Sequence, residues 1–315
     1  MRYFFIYILI FFSFLFNQEQ IGIGLYEDEL IEFLQNNYKT NSTQSYDSAR
    51  DILYSQIDIN ENNDVFCIYT NFYTTLPNNV DPSTYLYENG MNCEHLWPQS
   101  MYEIISLNLM KSDMHHLRPC KEIVNTYRNN KPYGESVDSQ TNNLLWLEYN
   151  YTSIPSSNLS EYSENGAIVF EPREDVKGDI ARAMFYFYTI YQDEANEAFF
   201  NQQKYTLFNW HIDDPIADVE INRTWGIAAY QNDIPNPFIL DTTLIYRAYF
   251  YIPESINGDV NLDGFLNIVD IIILVNYILG YGELDAQEIQ IADENLDGIV
   301  NIVDIINFLN IILGE

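Results

Sequence analysis

The sequence predicts an α+β domain followed by a small all-α module, and three observations lead there. Residues 64–130 combine strand-like alternation with two polar clusters that a hairpin and a following helix would bring together. Flanking segments carry apolar residues at helical spacing. From residue 258 the chain repeats itself at a 34-residue interval.

Taken in order, Met1-Arg2 and the almost wholly apolar run to Phe16 read as a secretory leader, residues 1–18. That run has about 14 apolar residues, fewer than the ~20 that span a bilayer, and no later segment qualifies. Export to the extracellular space or the cell surface is therefore expected, with an uncleaved anchor as the alternative, because no Ala-x-Ala-like pair marks a cleavage site. Residues 27–38 form a helix with Leu30, Ile31 and Leu34 on one face, and residues 45–57 form another. Val65, Cys67 and Tyr69 alternate, which gives a strand over 64–70. Gly90 breaks the chain before a strand bearing Glu94 and His95, and Pro98 ends it. The second polar cluster supplies the returning strand, and residues 120–129 the helix. A loop rich in Asn and Ser covers 153–165. Ile180, Ala183, Met184, Phe187 and Ile190 share one side of a helix over 174–191, and another helix follows over 215–231. The aromatic residues of 200–250 read as core, not as a platform for stacked bases.

The polar clusters are Met91-Asn92-Cys93-Glu94-His95-Leu96-Trp97-Pro98 and Asp113-Met114-His115-His116-Leu117-Arg118-Pro119, followed by Asn125 and Arg128. Three of the four histidines fall here, with five of the fourteen basic residues, Lys111, Arg118, Lys121, Arg128 and Lys131. These residue types point to metal-assisted phosphodiester cleavage. That reaction needs a base to prepare water, a cation for the developing charge and positive groups for the phosphate. Imidazole is the natural base near neutrality. A hard ion such as Mg²⁺ keeps several waters, so one carboxylate and one amide oxygen suffice from the protein.

This segment resembles the core of the endonuclease I family of secreted and periplasmic nucleases, which carry a ββα-metal (His-Me finger) site and cut DNA and RNA with little sequence preference. The resemblance continues through Phe170-Glu171-Pro172, Lys177-Gly178-Asp179-Ile180-Ala181-Arg182-Ala183, Gln231-Asn232 and Asn236-Pro237-Phe238-Ile239, most of residues 60–240. It implies His95 as general base, Glu94 as metal ligand and Asn125 as the helix-borne ligand, with Mg²⁺, or alternatively Mn²⁺, as the ion. Asp113 and His115 match the second motif, where support of the site or a phosphate contact is expected. Some members place an arginine near the scissile phosphate from the loop after the first motif. Residues 96–112 contain none, so Arg118, Arg128 and Arg182 are the candidates. His116 reads as structural, and His211 as helix-end packing. The competing reading is a catalytically inactive scaffold or adhesion protein that works through its C-terminal module.

A net charge of -32 and a pI near 4.1 weigh against tight non-specific DNA binding. The basic cluster and a bound cation would have to make one face attractive within a Debye length of about 10 Å, and affinity would then fall steeply with salt. Cys67, Cys93 and Cys120 allow three pairings, of which Cys93–Cys120 would brace the two motifs; three buried thiols is the other reading.

The C-terminal repeat consists of two twelve-residue loops. Asp259, Asn261, Asp263, Asn267 and Asp270 occupy positions 1, 3, 5, 9 and 12 of the first, and Asp293, Asn295, Asp297, Asn301 and Asp304 those of the second. Phe265 and Ile299 would give the position 7 carbonyls, and glycine stands at position 6. Two Ca²⁺ ions are expected. Asp instead of Glu at position 12, and the lack of a full helix before the first loop, resemble type I dockerins. That likeness implies a cohesin-like protein partner, selected in part by Ile268-Val269 and Ile302-Val303 at positions 10 and 11. The alternative is a cap packed on its own chain. Beyond Tyr251 there are twelve acidic residues and no Lys or Arg, so folding should depend on the ion. The expected organisation is a leader (1–18), a nuclease domain (19–251), a linker (252–257) and a dockerin-like domain (258–315).

Overall fold

The computed structural model describes residues 20–103, 107–137, 144–145, 150–151, 158–251, 258–261, 266–284, 286–295 and 298–313. The leader, the linker, Asp263, Phe265 and Asp297 lie outside the described residues. The chain divides into two compact units between Phe250 and Tyr251. Among the described residues no helix is long and apolar enough to cross a membrane.

The first unit is mixed helix and strand. Helix α1 (Glu27–Tyr38) buries Leu30, Ile31 and Leu34. Helix α2 (Tyr46–Ile52), capped by the Ser45 side chain, runs into a single wider turn at Leu53–Ile57. Strands β1 (Asp64–Phe66) and β2 (Tyr73–Thr75) pair antiparallel. The expected strand over 64–70 stops early because Ile68 N–H donates instead to the Pro119 carbonyl at 2.9 Å, carrying the segment onto another strand.

Helix α3 (Pro82–Glu88) leads through Gly90 into β3 (Met91–His95). Helix α4 (Leu107–Ser112) lies in the connection to β4 (Leu117–Lys121), which pairs antiparallel with β3 from Met91↔Lys121 to His95↔Leu117. Helix α5 (Glu122–Arg128) follows at once, completing a ββα arrangement. Four short strands, β5 (Leu144–Leu145), β6 (Asn150–Tyr151), β7 (Ser163–Asn165) and β8 (Phe170–Glu171), form a sheet in the order β6-β5-β7-β8. The expected loop over 153–165 thus ends in a strand, since β7 finds partners on both sides.

Helix α6 (Lys177–Ile190) is the spine of the unit. Every residue in it except Asp179 is buried, which explains why its apolar residues exceed a single stripe. Gly178 matters here: a Cβ would collide with the Asp214 carbonyl, and its N–H donates to Asp214 at 2.9 Å. Around this spine lie α7 (Glu197–Asn201), α8 (Lys204–Asp213), α9 (Asp218–Ala228), α10 (Pro237–Leu240) and α11 (Leu244–Tyr249). Phe185 and Tyr188 of α6 pack on Phe200 and Tyr249, and Trp97 stacks on Phe187 at 5.2 Å. Tyr205, Trp225 and Tyr246 are exposed, so the aromatic residues of 200–250 are not all core.

The second unit holds α12 (Ile268–Ile278), α13 (Ala286–Ala292) and α14 (Ile302–Leu313). Val260, Ile271, Leu274, Ala292, Ile305 and Phe308 form its core. The residues at loop positions 10 and 11, Ile268, Val269, Ile302 and Val303, are exposed, as are Ile272 and Ile306. Each loop folds over its position 12 carboxylate: Asp270 accepts from Asn261 and Asn267 N–H groups, and Asp304 from Glu294, Asn295 and Asn301. Gly298, at position 6 of the second loop, has φ +83°, a conformation that glycine adopts without a steric penalty.

Candidate metal and catalytic site

Consecutive residues in a strand point to opposite faces, so Glu94 and His95 diverge from β3. Because the strand ends at His95 and the chain turns at Pro98, both still border one polar cleft of about 240 Å³. Its lining also includes Gln99, Ser100, Asn125, Arg128, Asn129 and Asn130. The hairpin supplies the first pair, and α5 brings Asn125 beneath it.

Glu94 is only 2% exposed. The Tyr69 hydroxyl donates to its Oε1 at 2.9 Å, and Arg128 Nη1 lies 3.3 Å from the same oxygen. Burial pushes the Glu94 carboxyl up to about 7 despite Arg128 and the Tyr69 hydrogen bond. Asn125 donates Nδ2 to the Cys93 carbonyl at 3.3 Å, so the amide oxygen, not the amide nitrogen, remains for another partner. One carboxylate and one amide oxygen make a hard donor set, and the buried Glu94 carboxyl would gain a counter-charge from a small divalent cation. The residues therefore fit such an ion.

His95 is fixed on every side. Its Nε2 lies 3.0 Å from the Lys111 carbonyl, which can only accept, so Nε2 carries the proton. Nδ1 is then the lone-pair nitrogen, and Gln99 Nε2 donates to it at 3.3 Å. The ring stacks on Tyr46 at 5.4 Å and meets His116 edge-on at 5.3 Å. Burial, aided by His116, pushes the imidazole down to about 3, which keeps it neutral throughout the ordinary pH range.

The other sequence candidates are placed elsewhere or differently. His115 does not line the cleft: it is buried against Tyr186 with Nε2 3.1 Å from the Ile234 carbonyl. Its neighbour Asp113 is fully buried and accepts from Tyr186, Tyr191, Gln231 and the His115 N–H. Burial alone would raise that carboxyl, but His115, His116 and Gln231 outweigh it and hold it low. His116 is buried, its Nε2 on the Met110 carbonyl at 2.7 Å. His211 is buried near the end of α8, with Nε2 3.0 Å from the Thr242 carbonyl.

The candidate clamp arginines are each tied to groups of the chain itself. Arg128 reaches the cleft but is 1% exposed, and its guanidinium is committed to Glu94 and to the carbonyls of His95, Leu96 and Asn129. Arg118 faces a different cleft, shared with Asp58 and Arg223, and pairs with Asp179 at 3.2 Å. Arg182 is wholly buried in a two-pronged pair with Glu220, at 2.8 and 2.6 Å. Lys111 sits over the Tyr46 ring, Lys121 over the Phe72 ring, and Lys131 binds Asn165 and the Gly166 carbonyl. None of the five cations of the basic cluster is exposed. Arg118 and Arg128 are buried ties, whereas Lys111, Lys121 and Lys131 are half-buried and keep part of the cluster's charge at the surface.

Sequence reasoning missed Tyr69, Gln99 and the Lys111 carbonyl as site members. A backbone carbonyl has no sequence signal, and Tyr69 reaches Glu94 only through the fold. Arg128, named from the sequence, stands three residues after Asn125 on the same helix face and reaches the site as a partner of Glu94.

A family model described as Endonuclease I matches residues 27–243. The chain belongs to the endonuclease I family. A second model, described as Dockerin type I domain, matches residues 257–313 of this endonuclease I protein. The chain is also similar to two proteins named extracellular ribonuclease. The one from Bacillus subtilis (strain 168) is 29% identical over 161 residues, and the one from Bacillus amyloliquefaciens is 27% identical over 161 residues. Each match covers 47% of this chain and 50% of the relative, so the chain spans about half the length of the curated relatives it matches.

Proposed function

We propose that the protein is a secreted, metal-dependent endonuclease that hydrolyses phosphodiester bonds of RNA and DNA with little sequence preference, and that its C-terminal module binds calcium and docks a cohesin-like partner. The observation that carries the enzymatic reading is the convergence of Glu94, Asn125 and a neutral His95, whose Nδ1 lone pair meets Gln99 Nε2, on one polar cleft. Membership of the endonuclease I family and the similarity to extracellular ribonucleases support it.

In this reading His95 Nδ1 takes the proton of the attacking water, and the Lys111 carbonyl holds the ring in that tautomer. Glu94 and Asn125 hold a divalent cation, Mg²⁺ or Mn²⁺. When bound, that ion supplies positive charge to the phosphoryl oxygens as negative charge builds on them. Arg128 and Tyr69 position Glu94. With the arginines committed internally, Gln99, Ser100, Asn129 and Asn130 are left as neutral polar contacts for the substrate.

The test is incubation of the purified protein with plasmid DNA and with RNA, with Mg²⁺ or Mn²⁺ or with chelator. Cleavage that chelator abolishes is expected. Intact substrates across both ions and a range of salt would leave the inactive scaffold as the surviving reading.

A pH dependence follows from Glu94. A carboxyl raised to about 7 is neutral below that pH and ionised above it, and only the ionised form binds a cation well. Cation affinity should therefore rise between pH 6 and 8, and binding at pH 6 should release close to one proton. Calorimetry in two buffers of different ionisation enthalpy reads that proton directly. The acid limb of the rate profile should also move to lower pH as Mg²⁺ is raised, whereas a limb set by His95 would stay in place.

A further inference from the structure

The hairpin register sorts the three thiols of the endonuclease I unit. Cys120 stands opposite Asn92, and Cys93 opposite Pro119, so strand alternation sends the Cys93 and Cys120 side chains to opposite faces. That geometry rules out the Cys93–Cys120 brace that the sequence alone makes attractive. Cys93 instead sits among Tyr46, Tyr54 and Arg50. Cys120 faces Cys67, with the two sulfurs 3.9 Å apart and both side chains buried. The backbones are fixed at that point. Ile68 N–H donates to the Pro119 carbonyl at 2.9 Å, and Lys121 N–H donates to the Cys67 sulfur at 3.2 Å.

We propose that Cys67 and Cys120 form a disulfide when the chain folds under oxidising conditions, leaving Cys93 as a buried free thiol. Closing the bond brings the sulfurs from 3.9 Å to about 2.05 Å, a movement that side-chain rotation on two adjacent backbones can supply. The chemistry is exchange with a small disulfide oxidant, such as oxidised glutathione, before the pair is buried. The Cys67 thiolate attacks one glutathione sulfur and releases the other half as a thiol. Cys120 then loses its proton, attacks the Cys67 sulfur of the mixed disulfide and releases the second glutathione. Two protein thiols are oxidised and one oxidised glutathione becomes two thiols, so electrons balance.

A bridge would staple to β4 the segment that carries Tyr69, whose hydroxyl holds Glu94. The inference stands whether or not the chain cleaves nucleic acid.

The test uses the full chain, refolded from denaturant with oxidised glutathione in excess of reduced, then alkylated under denaturing conditions, digested and mapped by mass. One alkylated thiol, at Cys93, is expected, together with a linked Cys67–Cys120 peptide pair that disappears on reduction. The Cys93→Ser variant should keep that link, and in Cys67→Ser both Cys93 and Cys120 should be alkylated. Three alkylated thiols in the wild type, a bridge that includes Cys93, or a glutathione adduct without an internal bridge would each overturn the proposal.

Discussion

Replacing His95 with alanine is expected to lower cleavage of RNA and DNA by ~10²–10⁴-fold, the usual range for losing a positioned general base. Two features make the effect large. The ring is held in one tautomer by the Lys111 carbonyl, and it is packed between Tyr46 and His116. His115 and His116 line no part of the cleft, so neither imidazole can take over. Truncation also removes the donor to the part-buried Lys111 carbonyl, at a cost of about 1 kcal/mol. The variant should therefore melt a few degrees lower while its circular dichroism spectrum stays native. Free imidazole added to the alanine variant separates the two roles. A base that has been removed can be partly replaced from solution, whereas a packing defect alone would show no rescue. Near wild-type activity in His95→Ala would remove His95 from the mechanism.

How far this site was legible in the sequence depends on which bonds carry it. Glu94, His95 and Asn125 could be named because the chemistry needs a carboxylate, an imidazole and an amide in the order strand, strand, helix. The structure places all three around one cleft. The arginines are harder to read from sequence for a physical reason. A guanidinium offers five donors, so a buried site uses it to satisfy several acceptors at once, as Arg128 does with Glu94 and three carbonyls. Composition cannot distinguish that role from an exposed clamp. Helix α6 shows the same limit in the fold. Its periodicity marked one face, yet the helix is buried almost all round, because neighbours distant in sequence close over the other faces. Strand 64–70 was cut short by a hydrogen bond to Pro119, some fifty residues away, that no local pattern announces.

Removing calcium is the second change with a large expected effect, and it concerns the C-terminal unit. Four of its loop carboxylates are buried, Asp259 at 3% exposure, Asp270 and Asp304 at 0%, and Asp293 at 9%. Backbone N–H groups bond Asp270 and Asp304, and Gly298 N–H bonds Asp293 at 2.8 Å. Such dipoles stabilise a carboxylate without neutralising it, and each buried charge left without a counter-ion costs several kcal/mol. The sequence beyond Tyr251 has no Lys or Arg to provide one. The apolar core is a weak counterweight, since among the described residues its buried members are Val260, Ile271, Leu274, Ala292, Ile305 and Phe308. Units of this size rarely gain more than ~3–5 kcal/mol from a single core. A cation at one hundred times its Kd adds ~2.7 kcal/mol per site, enough to move such a unit from largely unfolded to largely folded. Treating the full chain with chelator should therefore melt α12 and α14, seen as a partial loss of helical ellipticity that calcium restores and magnesium does not. The Asp304→Ala variant should raise the calcium needed for that recovery, because its carboxylate gathers three loop N–H groups as well as closing the second loop. An unchanged helical signal in chelator would mean that the loops fold around their own backbone donors, and that the calcium reading of this repeat is wrong.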